Sequence, residues 1–389
     1  MKKVLFCGTY PGQSTGYAKI TNILTNFLAD HCDLYHLAFQ SADYVTFENN
    51  DKITRFKDGA FGYDVIKDII IDNKIETVIV YNDVLVCANM INIFQEYKNI
   101  LKCSKIYLYL DLTYKYENHI HDLSKYCDKI VCFNKSWETH LRSLNINNVI
   151  TIEHPKFYPN IHEYSVNKSE IGLDENDFVI LNLNRNSFRK CLDVTIDAFV
   201  QFFKMNGCQK NLKLFMGCKY NYAGSYDIVK MALIYANIHG LAEEQTDTLI
   251  NSCIMRPPQD NMTTEQVNRL YNCCDVGINT CGGEGYGLCN VEHQLTGKPQ
   301  ILTALDNFKE IFDEKYCCLV PVKTRMTLPL ELDACGGILE IPDPAEAANA
   351  MQYYYKNPHI RKIHGEMGKK HLESKEDQIT RWLQLLQTE

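Results

Sequence analysis

Between Asp275 and Thr303 the chain reads DVGINTCGGEGYGLCNVEHQLTGKPQILT, with four glycines and two glutamates inside the span 282–292. A buried strand is predicted to end near Thr280 and a helix to begin near Leu288. The helix should close at Gly297, a residue suited to a C-terminal cap, and Pro299 forbids its continuation. Gly282, Gly283, Gly285 and Gly287 let the backbone approach a ligand closely. Amides at the helix start, at the positive end of its dipole, would face a phosphate. Glu284 precedes that helix and Glu292 lies about one turn inside it. A carboxylate repels a bare phosphate but accepts hydrogen bonds from hydroxyls, so both glutamates suit a sugar or a ribose. Taken alone, such a segment reads more plainly as a solvated glycine turn whose glutamate complements the helix dipole.

A second constellation, Asn184-Arg185-Asn186-Ser187-Phe188-Arg189-Lys190, follows the predicted strand 178–183 and leads into a helix. Ligands of open α/β sheets collect at this carboxyl edge. Arg185, through its planar fork, and Lys190, as a point charge, would together neutralise a diphosphate. Three cations in six residues more often form a solvated basic loop, and Arg189 reads as surface.

The string EG-aromatic-G-Leu, with a second glutamate eight positions after the first and Gly-x-Pro entering a strand, resembles the donor signature of glycosyltransferase family 4. The segment strand–R–x4–K–helix resembles that family's basic motif. The resemblance implies a retaining enzyme of the GT-B fold. It implies that Glu284 meets the transferred sugar, that the amides of Gly285, Tyr286, Gly287 and Leu288 meet sugar and phosphate, and that Glu292 holds the ribose hydroxyls. Arg185 and Lys190 would hold the diphosphate. Cys289 stands where proline is common and His293 where alanine is usual. Over its full length the chain also resembles family 4 enzymes encoded by large algal viruses.

The loop Gly8 to Tyr17 resembles the family's glycine-containing N-terminal loop, with Gly16 as the candidate for phosphate approach; a plain turn is the equal alternative. Its spacing is not GxGxxG, which argues against a dinucleotide site. Asp111 ends the strand 106–110, where the family has a histidine–aspartate pair facing the sugar; Leu110 occupies the histidine position, so only Asp111 carries over. An aspartate at a strand end is otherwise a helix cap or turn residue, and Asn82-Asp83 has the same status. Thr263-Thr264-Glu265-Gln266 reads as a capping box. Met255 to Asn261 occupies the region where the family seats the nucleobase.

These motifs need a scaffold, and the whole chain alternates short apolar runs with helix-periodic stretches. Strands are expected at 3–7, 34–39, 77–81, 106–110, 129–133, 178–183, 212–216, 276–279 and 300–303. Helices are expected at 17–28, 192–203 and 377–387, with a polar loop over 114–126. This rhythm implies α/β layers of parallel strands with right-handed crossovers. Residues 153–177 read as an interdomain linker. The expected architecture is GT-B, two Rossmann-like domains whose parallel sheets face an interdomain cleft. The acceptor-side domain would span 1–170, completed by a helix over 372–389, and the donor domain 171–371. At 389 residues two domains are the natural expectation.

A net charge of −8 lowers the weight of nucleic-acid binding. The apolar run Val4–Cys7 is too short for a signal peptide, and no stretch is long enough to cross a bilayer. The 17 cysteines include no CxxC pair, which points to buried free thiols in a reducing, cytoplasmic setting, that of the host if the gene is viral.

No D-x-D triplet occurs, which disfavours a metal clamp on the diphosphate. No metal or other cofactor is therefore expected. The expected function is metal-independent, retaining hexosyl transfer from a nucleotide-sugar, GDP-mannose being the favoured donor, to a glycan or glycoprotein acceptor. A nucleotide-sugar epimerase, a non-catalytic nucleotide-sugar-binding scaffold and, more distantly, a dehydrogenase are the alternatives. The oligomeric state stays open, a homodimer included.

Overall fold

The structure, a computed structural model, describes residues 1–41, 50–96, 104–156, 160–220, 225–257 and 262–387. It divides into two compact units. Unit 1 comprises Met1–Phe157, Leu328–Gly337 and Glu376–Glu389; unit 2 comprises Tyr158–Thr327 and Ile338–Lys375.

Unit 1 is built on β1 (Lys3–Thr9), β2 (Asp33–Phe39), β3 (Ile53–Lys57), β4 (Thr77–Asp83), β5 (Lys105–Asp111), β6 (Lys129–Cys132) and β7 (Val149–Thr151). All pair in parallel in the order β3-β2-β1-β4-β5-β6-β7. Strands buried on both faces need continuous apolar runs, and β1 and β4 have them. The strand order reverses between β1 and β4, so the loops leaving their carboxyl ends flank the switch point. The helix Gly16–Ala29 starts at one of these loops; Thr15 caps it, its hydroxyl accepting from the Ala18 amide at 3.1 Å. Ile20, Leu24 and Leu28 bury one stripe of that helix, each worth about 1.5–3 kcal/mol of transfer free energy.

The expected C-terminal helix is shorter than its periodicity implied. Asp377 forms a turn by accepting from the Ile379 amide, and the helix runs Arg381–Gln387. Trp382 is fully buried edge-on against Tyr109, with ring centroids 5.0 Å apart. Within 114–126, read as a loop, Ile120–Tyr126 is helical. Only Ile120 and Leu123 of this short helix are buried, too little periodicity to register.

Unit 2 contains β8 (Phe178–Asn182), β9 (Leu212–Met216), β10 (Ile254–Met255), β11 (Val276–Asn279), β12 (Gln300–Thr303) and β13 (Cys318–Val320), parallel in the order β10-β9-β8-β11-β12-β13. An antiparallel pair, β14 (Val322–Thr327) and β15 (Ile338–Pro342), completes it. The segment read as linker is tied down from its described restart at residue 160. His162 and Tyr164 amides donate to Asn268 and Asn272 side chains at 3.2 and 3.0 Å, and Ile161 and Leu173 pack with Tyr271. All described cysteines are free thiols. Among the described residues no helix is long and apolar enough to cross a membrane.

Candidate functional site

The switch point of unit 2 lies between β8 and β11, and it brings their two carboxyl-end loops together. A buried polar chain fixes their register. Asn182 Nδ2 donates to Thr195 Oγ1 at 2.8 Å, Thr195 and Thr280 hydroxyls meet at 2.6 Å, and Thr280 donates to the Cys191 carbonyl at 2.9 Å. The Gly282 amide then donates to the Arg189 carbonyl at 2.8 Å.

This contact places the basic loop against the glycine loop. Lys190, 6% exposed, forms an ion pair with Glu284 Oε2. Arg189 Nη1 lies 3.6 Å from the same oxygen and donates to the Gly283 carbonyl at 2.9 Å. Burial pushes the Glu284 carboxyl up, but Lys190, Arg189 and a hydrogen bond from Asn279 outweigh it and hold it at about 2. Glu284 is therefore ionised throughout the physiological range.

Arg189, read as a surface residue, is part of this group. Sequence reasoning missed it because its partners, Gly283 and Glu284, lie more than 90 positions away. Arg185 is exposed and makes no ion pair among the described residues. Its loop is pinned by Asn186, whose side chain donates to the Lys219 and Tyr226 carbonyls, both at 2.8 Å. Three cations against one carboxylate leave this loop pair with a surplus of two positive charges (3 − 1).

Gly287 opens the helix Leu288–Leu295 with φ +88°, and a Cβ there would lie 2.5 Å from the Phe308 ring. Left-handed geometry and lack of space both demand glycine. Asn307 Nδ2 holds the turn by donating to the Glu284 carbonyl at 2.9 Å. Gly285 and Tyr286 are buried and Leu288 is partly exposed.

Glu292 has another neighbourhood. It is 2% exposed and accepts the Tyr271 hydroxyl at 3.0 Å. Tyr271 stacks on His293 with centroids 5.1 Å apart and planes at 18°. Burial, helped by Lys298, lowers His293 to about 3, so it is neutral. The histidine thus fills core space and fixes the ring that reaches Glu292.

In unit 1, Gly16 is the first residue of its helix. The next residue, Tyr17, donates its hydroxyl to Asp111 Oδ2 at 2.6 Å. Asp111 ends β5, directly paired with Asp83 at the end of β4. Asp83 accepts from the Val86 amide at 2.9 Å and so caps the following helix, while Asp111 reaches across to Tyr17. Leu110 is fully buried. Thr263 and Gln266 form the expected capping box through bonds of 2.8 and 3.2 Å. Within the region 255–261, residues 258–261 lie outside the described residues; Met255 accepts the Tyr220 hydroxyl at 2.6 Å.

No protein-family model matches the chain, and no curated protein sequence matches it. Solved structures do. A sucrose-phosphate synthase from Thermosynechococcus elongatus aligns with TM-score 0.74 at 11% identity, over 99% of this chain and 98% of that one. The HepE protein of Anabaena, solved with UDP and glucose, aligns with TM-score 0.66 at 14% identity, over 99% and 98%. A UDP-forming α,α-trehalose-phosphate synthase from Burkholderia xenovorans, solved with glucose-6-phosphate, aligns with TM-score 0.67 at 11% identity over 100% of both chains. Identities this low speak for the fold alone. That fold is GT-B, with two Rossmann-like domains.

Proposed function

We propose that this chain is a hexosyltransferase in which unit 2 binds a nucleoside diphosphate sugar and unit 1 supplies the acceptor side. The observation that carries the reading is Glu284, held ionised by Lys190 and Arg189 on a glycine loop that opens a helix. The diphosphate of a nucleotide-sugar carries about two negative charges, matching the surplus on these loops, with Arg185 available for bidentate binding. Amides of Gly285, Tyr286, Gly287 and Leu288 would complete the phosphate contacts.

In the transfer step the bond from the sugar C1 to the β-phosphate oxygen breaks while the acceptor oxygen bonds C1 on the same face. The acceptor proton passes to the departing phosphate, and the products are a glycosylated acceptor and a nucleoside diphosphate. Lys190, Arg189 and Arg185 stabilise the charge that builds on the leaving oxygen. Glu284 accepts hydrogen bonds from the sugar hydroxyls. Glu292 takes the ribose by sharing its carboxylate with Tyr271. No metal is required in this scheme.

Two of these three similar structures have names that mention UDP, so a UDP-hexose is the first donor to test and GDP-mannose the second. Calorimetry with UDP-glucose, GDP-mannose, ADP-glucose and NAD, followed by assays of released nucleotide with and without EDTA, tests the reading. One nucleotide-sugar should bind and turn over regardless of EDTA. Failure of every nucleotide-sugar to bind sinks the proposal. Conversion of the donor to an epimer without an acceptor would identify an epimerase, and tight binding without turnover a scaffold.

A further inference from the structure

Unit 1 holds polar groups that the donor chemistry leaves unused. Asp83 and Asp111 are register partners on adjacent parallel strands, about 4.8 Å apart at the backbone. Tyr17 donates to one oxygen of Asp111, and burial, with Asp111 and Asp83, pushes its own hydroxyl well above the usual range.

A third carboxyl joins them from the following loop. Glu117 is 5% exposed, and its Oε1 accepts from the Thr113 and Tyr114 amides, both at 2.7 Å. Its Oε2 is buried and has no hydrogen-bond partner among the described residues. Native structures leave few such atoms, and each one asks for a partner. Burial first, then Asp111 and Asp83, raise the Glu117 carboxyl well above its ordinary range, against the pull of the two amides. Its second oxygen is therefore a buried polar atom that a ligand hydroxyl could satisfy. Residues 328–337 pack over this loop, the Asn118 amide donating to the Cys335 carbonyl at 2.8 Å and the Tyr114 hydroxyl to Asp333 at 2.9 Å. Among the described residues no three acidic, histidine or cysteine side chains converge to hold a metal ion. Neither the Gly8–Tyr17 loop nor Asn82–Val84 contains a lysine or arginine, and the Thr113–Glu117 loop carries one cation, Lys115, against the three carboxyls.

We propose that Asp83, Asp111, Glu117 and Tyr17 form the acceptor subsite and select an uncharged polyhydroxyl acceptor over a phosphorylated sugar. The inference rests on the hexosyltransferase reading. A sugar hydroxyl both donates and accepts, so it can donate to the aspartates and meet the unpartnered Glu117 oxygen in either role. A phosphate only accepts at neutral pH, and two aspartates repel it. The free monosaccharide and the end of a glycan share this chemistry.

The test is saturation-transfer NMR on the full chain with methyl glucoside, methyl mannoside, maltotriose, mannotriose and glucose 6-phosphate. At least one neutral sugar should bind and glucose 6-phosphate should bind at least tenfold more weakly; preference for the trisaccharides would identify a glycan end. Asp83→Asn/Asp111→Asn should narrow that neutral-to-phosphate ratio at least tenfold, a change that a merely structural role does not produce. Glu117→Gln, with folding checked by circular dichroism, should weaken neutral-sugar binding at least fivefold. Equal or tighter binding of glucose 6-phosphate, no binding of any neutral sugar, or an unchanged ratio in the double variant overturns the proposal. Calorimetry of nucleotide-sugars on the wild type tests the donor reading separately: failure there sinks the transferase, whereas donor binding with phosphate preference sinks only this inference.

Discussion

Replacing Lys190 with methionine keeps most of the side-chain volume but removes the ammonium from Glu284. Burial pushes that carboxyl up, yet Lys190 and Arg189 bring it from its ordinary 4.5 to about 2. At about 1.36 kcal/mol per tenfold, this displacement corresponds to about 3 kcal/mol. Loss of one partner from a buried pair costs about 3–5 kcal/mol, and Arg189, 3.6 Å away, retains part of the attraction. The expected destabilisation at neutral pH is therefore about 2–3 kcal/mol. A carboxylate with a depressed folded-state pKa contributes stability above its unfolded value of about 4.3, and loses it as pH falls through the folded value. The gap between wild type and variant should thus be full near pH 7 and shrink steadily below about pH 4.5. Urea unfolding at several pH values measures it. Both tryptophans, Trp137 and Trp382, belong to unit 1, so unit 2 is followed by circular dichroism rather than emission. Turnover should fall about 10²–10³-fold, the size expected for losing one charge stabiliser of a leaving group. A stability gap equally large near pH 7 and near pH 3, or one below about 0.5 kcal/mol, would refute the electrostatic account.

Three smaller experiments probe neighbouring contacts. Arg189→Ala should lower turnover by about tenfold, less than the lysine variant, because its guanidinium is the more distant cation on Glu284; equal losses in steady-state kinetics would contradict this ordering. Gly287→Ala should destabilise by about 1–3 kcal/mol in thermal unfolding, since it combines a positive φ with overlap on Phe308, and an unchanged Tm would exclude that strain. Tyr271→Phe removes the hydroxyl on buried Glu292, costing about 1–3 kcal/mol and raising the donor KM severalfold with little change in kcat; an unaltered KM would detach Glu292 from donor binding.

The parts legible in the sequence are those governed by local rules. Leu212–Met216, Val276–Asn279 and Gln300–Thr303 show as strands because they are almost wholly buried and mostly apolar, with Lys213 the one charged residue among them. The helix start at Leu288 follows from the glycines before it. β14, with an exposed and mixed face, has no such signature, and β3 alternates too weakly to stand out. The same division applies at the site. Lys190 and Glu284 were each marked by a motif, and the fold brings them into contact. Arg189 has no local mark that separates it from a surface arginine; its role comes from the Gly282 amide bonding its carbonyl. Glu117 looks like any loop glutamate until its surroundings show it without solvent. Asp83 and Asp111 read alike as cap or turn residues; Asp83 caps the helix that follows its own strand, whereas Asp111 takes the Tyr17 hydroxyl.

The burial of Trp382 against Tyr109 bears on how the chain is made. Unit 1 begins emerging from the ribosome first, yet one of its core side chains is synthesised roughly 230 positions after β7. At about 5–20 residues per second, the sheet of unit 1 waits about 10–50 s for the tryptophan that closes it. Unit 2, whose residues lie between, can finish during that interval. The half made first is the half completed last, and an aromatic gap around Tyr109 is the surface a nascent-chain chaperone would meet.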